Sequence, residues 1–127
     1  MNTQTIEQPV ASIPNLAEGE TYLGGFIGAD GRITHTILLP GDSADATWHD
    51  QLEWAKSIGG DLPTRVELAV AFDKHRDQFK RDWYWSNQTV EDDDAYAWCQ
   101  VFPDGTQGNG LKDYDNCRAR AVRRLSI

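Results

Sequence analysis

No long apolar run interrupts this chain. Uncharged apolar stretches such as Ile37-Leu38-Leu39-Pro40 are far short of the about 18 residues that a membrane-spanning helix needs, so no membrane span is expected. Cysteine is scarce as well: Cys99 and Cys117 are too few for a secreted disulfide framework, and a free pair suits a reducing compartment. Positive charge is in deficit, with 12 Lys+Arg against 20 Asp+Glu and a formal charge of -8. A phosphate backbone would be repelled over most of such a surface, which argues against general nucleic-acid binding. The first eight residues, Met1 to Gln8, hold neither a basic n-region nor an apolar h-region, so no signal peptide is expected and the protein reads as cytoplasmic or virion-associated.

What is present suffices for a globular core. The 127 residues are 39% hydrophobic and include five Trp, four Tyr and four Phe. At this length roughly two-thirds of the unfolded surface can be buried without metals or disulfides. Residues 1–17 mix Gln, Asn, Thr and Pro without periodicity and read as a tail or arm, leaving 18–127 as one domain.

Two β-favouring runs, Thr21 to Gly28 and Arg32 to Leu39, flank Ala29-Asp30-Gly31 and predict a hairpin. Thr47 is an N-cap candidate for a helix carrying Trp48, Leu52, Ala55 and Ile58 on one face, ended by Gly59-Gly60. Thr64-Arg65-Val66-Glu67 has capping-box spacing and opens a second helix, with Leu68, Phe72, His75 and Phe79 on one stripe. Beyond it the period becomes two, in Trp83-Tyr84-Trp85 and in Tyr96 to Phe102, where Tyr96, Trp98 and Phe102 lie opposite Ala97, Cys99 and Val101. Pro103-Asp104-Gly105 reads as a turn, Thr106 to Asn116 as an irregular polar stretch, and Arg118 to Leu125 as one last strand. Strands, two helices and then strands predict an α+β fold, with the helices packed on a mainly antiparallel sheet.

Several blocks then match a family pattern in order and spacing. They are Gly59-Gly60-Asp61-Leu62-Pro63-Thr64-Arg65-Val66-Glu67-Leu68, Trp83-Tyr84-Trp85-Ser86, Ala97-Trp98 with Phe102-Pro103-Asp104-Gly105, and Arg120-Ala121-Val122-Arg123. Over roughly residues 20–125 the chain resembles the Lcl C-terminal-like domain family, a bacterial and phage domain of unknown function. That resemblance implies a C-type-lectin-like fold, related to that of formylglycine-generating enzyme, and a phage, prophage or bacterial origin. The chain departs from the longer family pattern in lacking a Trp-Arg before Leu62-Pro63-Thr64.

Candidate chemistry is scattered. His35, His49 and His75 include no pair at metal-ligand spacing and read as surface or satisfied core residues. Cys99 and Cys117 read first as small apolar residues, with an occasional disulfide or an oxidase role as alternatives; their neighbours do not reproduce those of the related enzyme's cysteines. Trp83 and Trp85 read as core, and stacking platforms are the alternative. The run Glu91-Asp92-Asp93-Asp94 reads as a solvated turn rather than a calcium site. Four of the eight arginines, Arg118, Arg120, Arg123 and Arg124, crowd the C-terminus, where internal ion pairs are expected and an anionic partner is the alternative. On a single strand Arg118, Arg120 and Arg124 would point to one side and Arg123 to the other.

No catalytic set, resident metal or cofactor is expected. The resemblance directs attention to long loops, and loops on a rigid scaffold carry function generally. The expected activity is therefore non-enzymatic recognition of a protein or glycan through residues 88–95 and 106–116, with Gln107, Asn109, Lys112, Asp113, Tyr114, Asp92 and Asp93 as ligand-binding residues. One alternative is an acidic phage inhibitor of a host nucleic-acid enzyme, motivated by the charge of -8. A small metal- or thiol-dependent enzyme is the other.

Overall fold

A computed structural model describes residues 12–126. The elements run β1 (Thr21–Ile27), β2 (Ile33–Leu38), β3 (Ser43–Ala46), α1 (Trp48–Ser57), α2 (Arg65–His75), β4 (Trp83–Val90), β5 (Asp93–Val101), β6 (Gln107–Leu111), β7 (Cys117–Ala119) and β8 (Val122–Ser126). They form a three-stranded sheet ordered β1-β2-β8 and a five-stranded sheet ordered β3-β7-β4-β5-β6. Every strand pair is antiparallel except β4 with β7. The expected α+β class, with two helices on mainly antiparallel sheet, is what the structure shows. Of the expected N-terminal tail, residues 1–11 lie outside the described residues, and 12–17 carry no helix or strand.

Local chemistry accounts for the predicted elements. The β1–β2 turn closes with Gly31 N–H donating to Gly28 O at 2.9 Å and Asp30 Oδ1 accepting from Arg32 N–H at 3.0 Å. Thr47 Oγ1 caps α1 by accepting from Asp50 N–H, and the Gly59 and Gly60 N–H groups close its far end on Lys56 O and Ala55 O. At α2 the capping box is complete: Glu67 N–H donates to Thr64 Oγ1, and Thr64 N–H donates to Glu67 Oε1. This helix stops at His75, before Phe79. A 3-10 turn, Arg76–Gln78, swings the Phe79 ring flat onto Phe102 at 4.3 Å.

Alternation along β4 and β5 gives the five-stranded sheet two buried faces. Trp85, Ala97, Cys99 and Cys117 pack toward α1, with Leu52 and Trp54 behind them. Tyr84 and Phe102 point the other way, into Leu68, Ala71 and Phe79 beside α2. Both aromatic anchors, Trp85 and Tyr84, are fully buried. Their polar atoms are matched, as burial requires: Trp85 Nε1–H donates to Ala46 O, and the Tyr84 hydroxyl donates to Asp42. Trp83 departs from its expected core place. It is 39% exposed and lies against β6.

Three expectations about the second half need correction. The polar stretch 106–116 is not one irregular loop, because β6 occupies Gln107–Leu111 and pairs with β5 from Gln100↔Gln107 to Tyr96↔Leu111. Its glycines hide the strand from propensity, and packing explains them: a Cβ on Gly108 would approach the Trp83 ring to 3.2 Å, and one on Gly110 the Trp85 ring to 3.3 Å. The segment 88–95 is likewise mostly strand. β4 reaches Val90 and β5 starts at Asp93, leaving the tight turn Glu91-Asp92 with Asp92 at φ +68°.

Finally, Arg118 to Leu125 is two strands in two sheets. β7 pairs with β3 and β4, β8 pairs with β2, and the break between them resets the inside–outside parity that one strand would impose on the arginines. Arg120 occupies the crossing, 6% exposed, with its guanidinium donating to Gln78 O and Leu39 O. The strand β3, Ser-Ala-Asp-Ala, is only four residues long, too short for its alternation to stand out from the flanking polar segment.

Candidate functional site

The C-terminal arginines are spent inside the fold. Arg118 meets Asp42 at 2.7 Å, Arg123 meets Glu20 at 2.9 Å, and Arg124 bridges Asp61 and Glu67, both at 2.7 Å. These carboxylates lie near the strand and helix starts rather than in the 91–94 run. Burial pushes the Glu67 carboxyl up. The Arg124 guanidinium, the Thr36 hydroxyl and the Thr64 N–H together outweigh that and hold it below the ordinary carboxylate range. Glu20 is held at about 2 by its hydrogen bonds from Arg123 and from Ala17 N–H.

Arg65 is different. It is the first residue of α2, a position where a cation opposes the helix dipole and so does nothing for the helix. Its Cζ sits 3.7 Å from the centroid of the Trp98 ring on β5. Nε–H donates to Gln107 Oε1 at 2.9 Å, and Gln107 returns its amide N–H to Arg65 O and to Gln100 Oε1, both at 2.9 Å. Gln100 is fully buried and donates to Gly105 O and Thr106 O. Gln88, at the end of β4, accepts from Arg65 N–H at 2.7 Å. Among the described residues no carboxylate pairs with Arg65, and its two terminal amino groups make no hydrogen bond.

Two cavities meet at this side chain. One, of about 410 Å³, is lined by Val66, Ala69, Gln100 and Gln107; the other, of about 300 Å³, by Thr89, Glu91 and Trp98. Arg65 and Gln88 line both. Gln88 Oε1, Gln100 Oε1 and Gln107 Oε1 each accept one bond within the network. Among the described residues the Arg65 amino groups and the Gln88 amide N–H₂ donate to nothing, and Glu91 is the one carboxylate lining these cavities. Such a groove is chemically suited to an oxyanion.

The residues singled out from sequence are dispersed about this groove. Gln107 is built into it, and Asn109 lies two positions along β6 on the same face, exposed. Lys112 is on the opposite face, its Nζ 4.3 Å from the centroid of Trp48 and its backbone tied to Ala95 and Trp48. Asp113 and Tyr114 are exposed between β6 and β7, and Asp92 and Asp93 are exposed at the β4–β5 turn. Gln88 lies in the expected segment 88–95, as Gln107 lies in 106–116, but Arg65, Trp98 and Gln100 were not expected to join them. The one signal for Arg65 was its charge at the first position of a capped helix, and nothing local showed that Trp98 and Gln107 would surround it.

The remaining candidates stay separate. His35 is buried, its Nδ1 2.6 Å from the Tyr22 hydroxyl, while its Nε2 has no partner among the described residues. The Cys99 and Cys117 sulfurs are 3.4 Å apart and buried; the neighbouring thiol, with burial added, pushes the Cys99 thiol up and keeps it protonated. Among the described residues no three His, Cys, Asp or Glu side chains are placed to hold a metal ion, and no helix is long and apolar enough to cross a membrane. Compared with protein-family models and with curated proteins, the chain matches none, so function has to be read from the groove itself.

Proposed function

We propose that the chain is a non-enzymatic binding module of C-type-lectin-like fold, of the Lcl C-terminal-like kind, which recognises a protein or a glycan at the Arg65 groove. The observation that carries this is the guanidinium over Trp98 with uncharged partners, its amino groups unpaired among the described residues, at the junction of two cavities. A cation positioned by an indole and an amide oxygen, with no carboxylate paired to it among the described residues, is preorganised for an external acceptor. The α+β architecture, with two helices on mainly antiparallel sheet, supports the fold assignment. To test the reading, the immobilised full chain and its Arg65→Gln variant are exposed to a displayed peptide library and to a glycan array. Ligands retained by the parent and lost by the variant are expected; an identical retained set places recognition elsewhere.

A second reading is favoured by the β4–β5 turn, where Glu91, Asp92, Asp93 and Asp94 are all exposed and enter no ion pair among the described residues. As an inhibitor's tip, that turn competes with a nucleic-acid backbone for a basic groove on an enzyme. Such an association weakens steeply with salt, and salt-independent binding refutes it.

A further inference from the structure

We propose that the occupant of the groove is an extended peptide bearing an aspartate or glutamate, which adds to the open edge of β6 and seats that carboxylate on Arg65. The inference rests on the binding-module reading above and narrows it to one ligand class.

The edge follows from the β5–β6 register. Val101 N–H donates to Thr106 O and Lys112 N–H donates to Ala95 O, so with Cys99↔Gly108 and Ala97↔Gly110 between them the even-numbered residues of β6 spend their backbone groups on β5. The backbone groups of Gln107 and Asn109 and the N–H of Leu111 point outward, and among the described residues β6 is the last strand of its sheet. Edges are commonly guarded by charge, proline or a bulge. At the other edge of this sheet β3 carries Asp45 and an irregular register, whereas β6 reads Gln-Gly-Asn-Gly-Leu with none of these guards. An added strand places the side chains opposite Gln107 and Asn109 on the face where Arg65 stands over Trp98.

The donor geometry selects the carboxylate. Trp98 covers one guanidinium face and Gln107 occupies Nε–H, which leaves the edge bearing both amino groups, a planar fork that a carboxylate meets with two parallel hydrogen bonds. Gln88 adds an amide donor beside it. Glu91, on the wall of the smaller cavity, is the one carboxylate there, and it disfavours a second acidic residue at that end of the peptide.

The probe is a displayed library of random heptapeptides selected on the full chain, with an array of uronate-bearing and neutral oligosaccharides in parallel. Enriched peptides carrying Asp or Glu at one fixed position support the proposal. They should bind Arg65→Gln about 10-fold or more weakly, and they should lose binding when methylated on the backbone nitrogens that face β6. Asn109→Pro removes one outward N–H without touching the bonds to β5, a substitution edge strands accept. It should weaken capture by a similar factor while the thermal midpoint stays within a few degrees. The methylated peptides act on the unaltered protein, so they decide the question even where the proline variant fails to fold. Glu91→Gln should tighten binding of peptides with two acids. Enrichment without any acidic position, or peptides indifferent to methylation, overturns the proposal. Arg65-dependent capture of uronates with no peptide enriched also overturns it and leaves the binding-module reading standing. Absence of any Arg65-dependent ligand removes both.

Discussion

Arg65 and Glu67 leave the same turn of α2, two residues apart, and have opposite surroundings. Glu67 is 4% exposed and closed in by Arg124, the Thr36 hydroxyl and the Thr64 N–H, so its charge is matched within the fold. Arg65 is held as firmly, but by an indole face and amide oxygens that fix its position without neutralising it. Matched charge binds β8 to the helix start; the charge of Arg65 is the one we propose an outside group meets, whereas Arg120, also without a carboxylate among the described residues, is buried on the backbone carbonyls of Gln78 and Leu39. The same contrast separates Arg65 from Arg118, Arg123 and Arg124, each of which has its own carboxylate.

The largest effect that sharpens this contrast is expected from Arg124→Met. It leaves the buried Glu67 carboxylate without its cation, and breaking a buried pair from one side costs about 3 kcal/mol or more. Urea unfolding should show that loss, and Glu67→Met in the same chain should recover part of it, because the stranded charge is then gone. If Arg124→Met is as stable as the parent, the closed side of the comparison is misassigned. Glu67→Gln is milder, at about 2 kcal/mol near neutral pH, since a charge-assisted bond to Arg124 is weakened rather than orphaned.

Acid should erase the same contribution. Glu67 in the folded chain titrates below 4.5, the ordinary value, and Glu20 at about 2, so at low pH the unfolded chain takes up more protons than the folded one. Stability from both groups is complete above 4.5 and is lost as the pH falls through their folded values. Thermal midpoints between pH 2 and 6 should therefore decline toward acid, and Glu67→Gln should flatten the slope. An unchanged slope in the variant assigns the acid sensitivity to other carboxylates.

The closed side was more legible in the sequence than the open side, for a physical reason. Caps, turns and helical stripes are local, so Thr47, the Thr64–Glu67 box, Asp30-Gly31 and the stripe through Leu68 announced themselves. The arginine-rich end was also readable as internal pairing, although its partners were not, because Asp42, Asp61 and Glu67 lie 57 or more residues away in sequence. β6 was invisible because Gly108 and Gly110 are there to admit the indoles of Trp83 and Trp85, which strand propensity does not register. The groove was hidden because Arg65 meets Gln88 and Trp98 only through the packing of α2 on β4 and β5, and Gln107 joins them only because β6 is a strand.

Thr64→Ala probes the point the two regions share. Loss of the cap hydroxyl should cost about 1 kcal/mol, since one helix N–H then loses its partner. Because Arg65 is the next residue, fraying of this turn should also weaken capture of any groove ligand, whereas Thr47→Ala, at the cap of α1, should cost comparable stability and leave capture intact. Equal loss of capture in both variants would mean that binding follows global stability and not the position of Arg65.

The smallest expected effect is the most discriminating. Arg65→Met removes a cation–π contact worth about 0.5–1 kcal/mol. It also relieves about 0.3–1 kcal/mol of unfavourable charge at a helix N-terminus. The Nε–H bond to Gln107, worth about 0.5–1.5 kcal/mol, is lost as well, so the net loss should be about 1 kcal/mol, well below that of Arg124→Met, while Arg65-dependent capture disappears. Arg124→Met should do the reverse, unfolding early but retaining capture at temperatures where it remains folded. A drop in stability for Arg65→Met as large as that for Arg124→Met would show that the guanidinium over Trp98 is one more structural contact, and the distinction between matched and unmatched arginines would no longer point to a ligand.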